Sequence, residues 1–359
     1  MKRVGILTSG GDCQGLNAAI RGVAKTLYEY YDESDIEIYG ISDGYRGLID
    51  GEYHLMNKED FSGILTIGGT ILGTSRQPFK LMRVVNENSV DKVQEMKNNY
   101  KKMKLDCLVI LGGNGTHKTA NLLREEGLNI VTLPKTIDND LWGTDMTFGF
   151  QSAVDIATNV LDCIHTTATS HGRVFIVELM GHKVGWLTLH AGIAGGADVI
   201  LIPEIPYKVE SIVKTLNSRL KNGKHFSILA VAEGAISEEL SRLTKKEQKQ
   251  RREKSPYPSI SYELAKQIEE HTGQEIRVTV PGHFQRGGSP CPYDRVLATR
   301  FGSAAARLII EKKYGYMVAL VNNEIVSVKL ENVAGKLKTV PKYSTIVRSA
   351  TNIGISFGR

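Results

Sequence analysis

The chain has 359 residues, more than a single hydrophobic core usually organises, so two domains are expected. Hydrophobic residues make up 41% and charged residues 23%, the balance of a globular protein. No apolar stretch approaches the roughly 20 residues that would span a bilayer. The net charge of +6 is mild. Its one dense run, Lys245, Lys246, Lys249, Arg251, Arg252 and Lys254, is broken by Glu247 and Glu253. That run reads as a solvated helix or loop and not as a nucleic-acid-binding face. The surplus charge suits anionic small molecules.

The N-terminal stretch MKRVGILTSGG is too short and lacks the cleavage site of a signal peptide, so a cytoplasmic protein is expected. Cys13, Cys107, Cys163 and Cys291 form no CxxC pair. They are expected to be free thiols, not a disulfide framework or a zinc site.

Short runs rich in Val and Ile predict strands at 4–7, 36–41, 107–111, 130–133, 174–179, 199–202, 228–231, 276–280 and 318–321. They are apolar almost throughout, as strands buried on both faces of a parallel sheet are. Helical patterns at 16–31, 117–126, 152–165, 209–221, 259–271 and 293–312 separate many of them. The alternation predicts an α/β fold of mainly parallel sheets flanked by helices. Residues 237–258 are charged, end in Ser-Pro-Tyr-Pro and read as a surface excursion, while the tail after Val328 is basic without a clear period.

Chemistry collects directly after six of the strands. These positions carry Thr8-Ser9-Gly10-Gly11-Asp12, Gly112-Gly113-Asn114-Gly115-Thr116, Pro134-Lys135-Thr136-Ile137-Asp138-Asn139-Asp140, Met180-Gly181-His182, Glu233-Gly234, and Pro281-Gly282-His283-Phe284-Gln285-Arg286-Gly287-Gly288. Open α/β sheets bind ligands at their strands' carboxyl ends. A glycine pair before a helix lets backbone approach a phosphate, and the helix start adds unpaired N–H groups. Neither glycine loop is a P-loop or a dinucleotide fingerprint, which speaks against a nicotinamide-dependent dehydrogenase. Asp138 and Asp140 stand two residues apart on one loop. One can accept a hydroxyl proton and the other orient a partner or face a metal, although an aspartate pair also serves turns. Arg76, Arg173, Arg277 and Arg286 are candidates for holding phosphate. His283, just past a strand, is a candidate for a sugar or phosphate contact. No histidine pair has metal-binding spacing.

In this order these blocks resemble the signature blocks of the phosphofructokinase family, as do Asn17-Ala18-Ala19-Ile20-Arg21-Gly22 and Gly68-Gly69-Thr70; the likeness runs over roughly residues 1–325. It implies two domains, each a mainly parallel sheet flanked by helices. Residues 1–148 and 279–325 would form the phosphoryl-donor domain, 149–278 the sugar-phosphate domain, and 326–359 a C-terminal extension. It implies phosphoryl transfer to the 1-hydroxyl of fructose 6-phosphate, with Asp138 as general base and Thr136 holding the sugar. Asp140 would support Mg2+ and the donor phosphates. Gly11, Arg76, Gln77 and Gly113 through Asn114 and Gly115 to Thr116 would cradle the donor, with Arg76 also neutralising the transferring group.

The sugar-phosphate pocket would be lined by Thr136, Ile137, Asp138, Met180, Gly181, His182, Glu233, His283, Phe284, Gln285 and Arg286. Arg173 and Arg277 would reach the 6-phosphate of a neighbouring subunit, implying a homodimer or homotetramer. Three departures from the family pattern bear on this. Gly115 resembles ATP users, because an aspartate there would clash with an α-phosphate, whereas Lys135 resembles pyrophosphate users. ATP is the donor expected, with pyrophosphate the alternative and a non-catalytic sugar-phosphate sensor a further one. Asn114 replaces a usual aspartate near magnesium, and an amide oxygen is a weaker ligand. Arg21 matches an effector-pocket arginine of allosteric relatives, but Lys25 and His165 replace others.

Overall fold

The computed structural model describes residues 1–84 and 91–359. The chain forms two compact units, one of residues 1–152 and 286–338, the other of residues 153–285 and 339–359.

The first unit holds a seven-stranded sheet of β1 (Lys2–Ser9), β2 (Ile36–Ile41), β3 (Tyr53–Met56), β4 (Cys107–Gly112), β5 (Ile130–Pro134), β10 (Tyr316–Val321) and β11 (Glu324–Lys329). The order is β11-β10-β5-β4-β1-β2-β3. The β2-β1-β4-β5-β10 stretch is parallel, and only the outer strands β3 and β11 are antiparallel. β4 and β5 are buried at every residue, which is why they read as unbroken apolar runs. β11 alternates little and is mostly exposed, so its sequence carried almost no strand signal.

The chain steps from β1 to β2 on one side and pairs β1 with β4 on the other, creating a switch point between β1 and β4. The register aligns Ser9 with Gly112 and Gly112 with Pro134. Three strands therefore end level with one another at neighbouring ladder positions, about 4.8 Å apart per step. The loops that follow are the two glycine loops and the aspartate loop.

Helices Leu16–Tyr30 and Pro292–Ile310 pack closely in this unit because glycines face each other. A Cβ on Gly22 would lie 2.9 Å from Thr299 O, and one on Gly302 2.4 Å from Ala19 O. Buried Asp294 accepts from Ser152 N at 2.7 Å and Ser152 Oγ at 2.6 Å, tying helix Pro292–Ile310 to the start of helix Phe150–His171.

The second unit holds β6 (Val174–Leu179), β7 (Val199–Leu201), β8 (Ser227–Ala232) and β9 (Ile276–Thr279), all parallel, in the order β7-β8-β6-β9. Leu179 is level with Ala232, and Val177 with Thr279. The loops that begin Met180, Glu233 and Val280 thus leave one edge of this sheet.

The expected α/β architecture is present, and the six expected helices occur with shifted ends, for instance Asn114–Glu125 and Phe150–His171. The chain divides differently from the expectation. Its first crossing, between Ser152 and Ala153, falls inside helix Phe150–His171, and residues 279–285 stay with the second unit. Residues 326–359 form no separate extension. Part of β11 and a short helix, Leu330–Val333, belong to the first unit, whereas helix Thr345–Asn352 and the buried Val340, Val347, Ala350, Ile355 and Phe357 belong to the core of the second. Those apolar residues are spaced too irregularly for a period to appear. The excursion at 237–258 is largely helical, with Glu238–Ser241 and an exposed Lys245–Glu253 started by a Thr244/Glu247 capping box.

Candidate active site

In the first unit the site is built on the three level strand ends. Gly10 turns with φ 88°, and its N–H donates to Ser75 O at 3.0 Å while Thr74 Oγ1 donates to Gly10 O at 2.7 Å. Exposed Arg76 and half-buried Gln77 are thereby held beside the glycine loop. A Cβ on Gly11 would fall 2.9 Å from Arg286 Nη1, which donates to Asp12 O at 3.0 Å. Arg286 therefore lies against the first glycine loop of this unit.

Lys135, 3% exposed, sends its ammonium to Gly11 O and charges the floor of that loop; burial lowers its pKa. Helix Asn114–Glu125 starts on Gly113 without a side-chain cap, leaving its first N–H groups open. Thr116 Oγ1 donates to Ser9 O at 3.3 Å, which joins the two glycine loops. A Cβ on Gly115 would meet nothing within 4 Å. Asn114 Nδ2 donates to Lys336 O at 2.6 Å.

On the aspartate loop, buried Thr136 accepts from Asp138 N at 3.0 Å, and the Asp138 side chain is half-buried. Ile137 is fully buried, so it can offer a ligand only its backbone. Burial first, and Asp138 second, push the Asp140 carboxyl up to about 6. Lys338 Nζ reaches into the same loop, donating to Asn139 Oδ1 at 2.8 Å, Thr144 O at 2.8 Å and Asp145 O at 2.9 Å. Burial brings its pKa down to about 8.

Asn17, Thr8 and Lys338, to which the motifs gave no role, shape this half. Asn17 donates to Ile67 O at 3.0 Å and accepts from Ile71 N at 2.8 Å, pinning the Gly68-Gly69-Thr70 block. Thr8 Oγ1 donates to Gly73 O at 2.7 Å. Asn17 stood within a quoted block without a role of its own. Lys338 had no motif to mark it.

In the second unit, Glu233 Oε1 accepts from His182 N at 2.7 Å and Gly181 N at 3.3 Å. Gly181 has φ 145°, and a Cβ there would lie 2.6 Å from Val184 O; His182 is left-handed with φ 49°. Glycine is required at the first of these positions. Gln285 is fully buried, accepting from Met180 N at 3.3 Å and donating to Gly282 O at 3.0 Å. It supports the Met180 loop from beneath, whereas His283 and Phe284 are exposed.

Arg173 and Arg277 come together through Glu275, which Arg173 Nε reaches at 2.7 Å and Arg277 Nη2 also contacts. His165 bonds Gly195 O at 2.7 Å and packs edge-on to Phe226. The charged run does more than coat a solvated helix. Arg251, Arg252, Lys254 and Tyr257 join Glu178 and Glu233 in lining a cavity of about 490 Å³.

None of the four cysteines is in a disulfide, and burial pushes Cys13 up to about 12, far from a reactive thiolate. Among the described residues there is no group of three or more His, Cys, Asp or Glu side chains able to hold a metal alone, and no helix long and apolar enough to cross a membrane.

The first unit thus offers glycine loops with open N–H groups, a cationic floor and paired carboxylates. The second offers a carboxylate-anchored loop and an arginine pair. The family profile described as Phosphofructokinase matches residues 3–309. The chain is 58% identical over 357 residues to ATP-dependent 6-phosphofructokinase of Spirochaeta thermophila, covering 99% of this chain and 97% of that one. It is 48% identical to ATP-dependent 6-phosphofructokinase 3 of Bacteroides thetaiotaomicron, covering 99% and 100%. Among solved structures, Pichia pastoris phosphofructokinase superposes with a TM-score of 0.80 at 34% identity over 92% of this chain, which spans only 35% of that longer one. On the sequence blocks, the strand-end loops and these likenesses, the chain belongs to the phosphofructokinase family.

Proposed function

We propose that the chain transfers the γ-phosphoryl group of ATP to the 1-hydroxyl of fructose 6-phosphate, giving fructose 1,6-bisphosphate and ADP, in cytoplasmic glycolysis. The observation that carries this is the half-buried Asp138 on a strand end level with both glycine loops. The 58% identity to an ATP-dependent 6-phosphofructokinase supports it. Asp138 takes the proton from the attacking hydroxyl. The bond from phosphorus to the β-phosphate bridging oxygen breaks as the bond to O1 forms. Thr136 helps hold the sugar in the first unit, and in the second Glu233 holds the Met180–Gly181 loop, a further sugar contact.

His182, His283 and Phe284 of the second unit and Arg286 of the first serve sugar-phosphate binding, while the Arg173–Arg277 pair suits a 6-phosphate. The exposure of Arg277 supports a site completed by a second copy of the chain, in a dimer or tetramer. Gly11, Gly113 to Thr116, Arg76 and Gln77 receive the donor. The open space at Gly115 supports a nucleotide over pyrophosphate.

The residues fit Mg2+. Asp140 is a desolvated carboxyl repelled by Asp138, and among the described residues no cluster of three or more His, Cys, Asp or Glu forms there, as is usual where phosphates supply the remaining ligands. Magnesium would offset phosphate charge there. Asn114 would add at most its amide oxygen.

Coupled assays with ATP and with pyrophosphate test the reading. Turnover of fructose 6-phosphate with ATP and Mg2+ is expected, and activity with pyrophosphate alone would overturn the donor. Asp138→Asn should lower turnover by at least about 10²–10⁴-fold while fructose 6-phosphate still binds. Near-normal turnover in that variant would remove Asp138 from its role.

A further inference from the structure

Residues Lys336, Leu337 and Lys338 lie beyond the family match at 3–309 and end the first unit. They form a strap across two loops of that unit. Lys336 O accepts from Asn114 at 2.6 Å, Leu337 bridges antiparallel to Leu141, and Lys338 N donates to Asp140 O at 2.8 Å. The Lys338 ammonium then bonds Asn139 Oδ1, Thr144 O and Asp145 O, each a neutral oxygen.

Asn139 separates Asp138 from Asp140 and is left-handed, with φ 50°. Asparagine adopts that conformation more readily than other side-chain-bearing residues, with local hydrogen bonds from its amide. Here Asn139 Oδ1 also accepts from Thr147 N at 3.1 Å, and Nδ2 donates to Asp145 O at 3.3 Å. Turning this residue would re-aim both neighbouring carboxylates, since they share its backbone. The Asn114 amide now has a reason as well. It donates to a carbonyl, which an ionised aspartate in its place could not do.

We infer that the strap is part of the phosphoryl-transfer machinery, with Lys338 a positioning residue that sets Asp138 and Asp140 through Asn139 while Lys336 anchors the donor loop through Asn114. This rests on the proposed roles of the two carboxylates. A strap that merely closed the surface would affect stability without selecting turnover.

The test is a cycle of Lys338→Met, Asn139→Ala and the double variant, assayed on the full chain with ATP, Mg2+ and fructose 6-phosphate, with folding checked by circular dichroism. Misplacement of reacting groups by about 1 Å lowers rates on the order of 10²-fold. Lys338→Met is therefore expected to lose turnover on that order with both KM values within about threefold. The double variant is expected to lose less than the product of the two single effects, because both changes remove the shared Lys338–Asn139 contact.

Turnover of folded Lys338→Met within about threefold of the parent, or single effects that multiply, would overturn the inference. If Lys338→Met does not fold, Lys338→Gln, which keeps two donors, carries the same expectation at smaller size and is overturned by parent-like turnover. A parent protein inactive with ATP would instead defeat the function proposed above. An active parent with unimpaired Lys338 variants defeats only the strap.

Discussion

His117, one turn into helix Asn114–Glu125, is 1% exposed, and its Nδ1 lies 2.9 Å from Gly113 O. Burial lowers its pKa to about 4, so the native ring stays neutral where an unfolded one titrates near 6.5. The unfolded chain therefore binds the proton first as pH falls. The stabilisation is complete above about 6.5 and is lost between about 6.5 and 4, a linkage on the order of 3 kcal/mol. His117→Gln should lose less thermal stability than the parent between pH 7.5 and 4.5; equal losses would refute this origin.

Gly115 gives a prediction of opposite kind. Its Cβ direction is open, and the position lies in the first turn of a helix, where a carboxylate is favourable. Gly115→Asp should keep or slightly raise the melting temperature while weakening ATP use by tenfold or more in a steady-state assay. Unchanged KM and turnover for ATP would sink the steric account of donor choice. At this scale the residues legible in sequence were those whose chemistry follows a strand end, such as Gly11, Gly115 and Asp138. Gln285 was legible as a motif member, but only burial shows that it supports a loop.

At the scale of elements, the pairing of helices Leu16–Tyr30 and Pro292–Ile310 depends on Gly22 and Gly302, which let two backbones approach where a methyl would collide. Alanine would raise intrinsic helix propensity by about 1 kcal/mol. The backbone contact at 2.4 Å cannot yield as a flexible side chain could, so overpacking of about 1–3 kcal/mol or more should win. Gly302→Ala is expected to lower the melting temperature by several degrees. A rise would show that the helices separate without loss. The first helix also carries Asn17, so its displacement should loosen the 67–71 loop. The buried strands were legible because a doubly covered parallel strand is apolar at each position. β11 was not, since an exposed edge strand needs no apolar face.

At the scale of the whole molecule, the chain visits each unit twice, and its end is structural. Val340, Val347, Ala350, Ile355 and Phe357 are buried among the apolar residues of the second unit, while Ile200 N and Lys208 N donate to Ser356 O at 2.9 Å and Gly358 O at 2.7 Å. Removing the four larger ones, Val340, Val347, Ile355 and Phe357, withdraws roughly 1.5–3 kcal/mol each, comparable to the total stability of a domain. A chain ending at Lys338 should therefore show protease cleavage within residues 153–285 under conditions where the full chain resists. Equal resistance would show that the second unit does not need residues 339–359.

The sequence by itself determined the class of the fold and which loops carry chemistry. Strand burial and glycine before a helix are local demands, visible in the order of residues. It also contained the evidence of kinship, through blocks that keep their order. Only the tertiary structure decided that Ser9, Gly112 and Pro134 end level, that Arg286 lies over Gly11, and that Lys338 grips the loop of Asp138 and Asp140. Those are contacts between residues far apart in the chain. No spacing rule encodes them, because a lysine's ammonium is directed by whatever carbonyls the folded backbone brings to it.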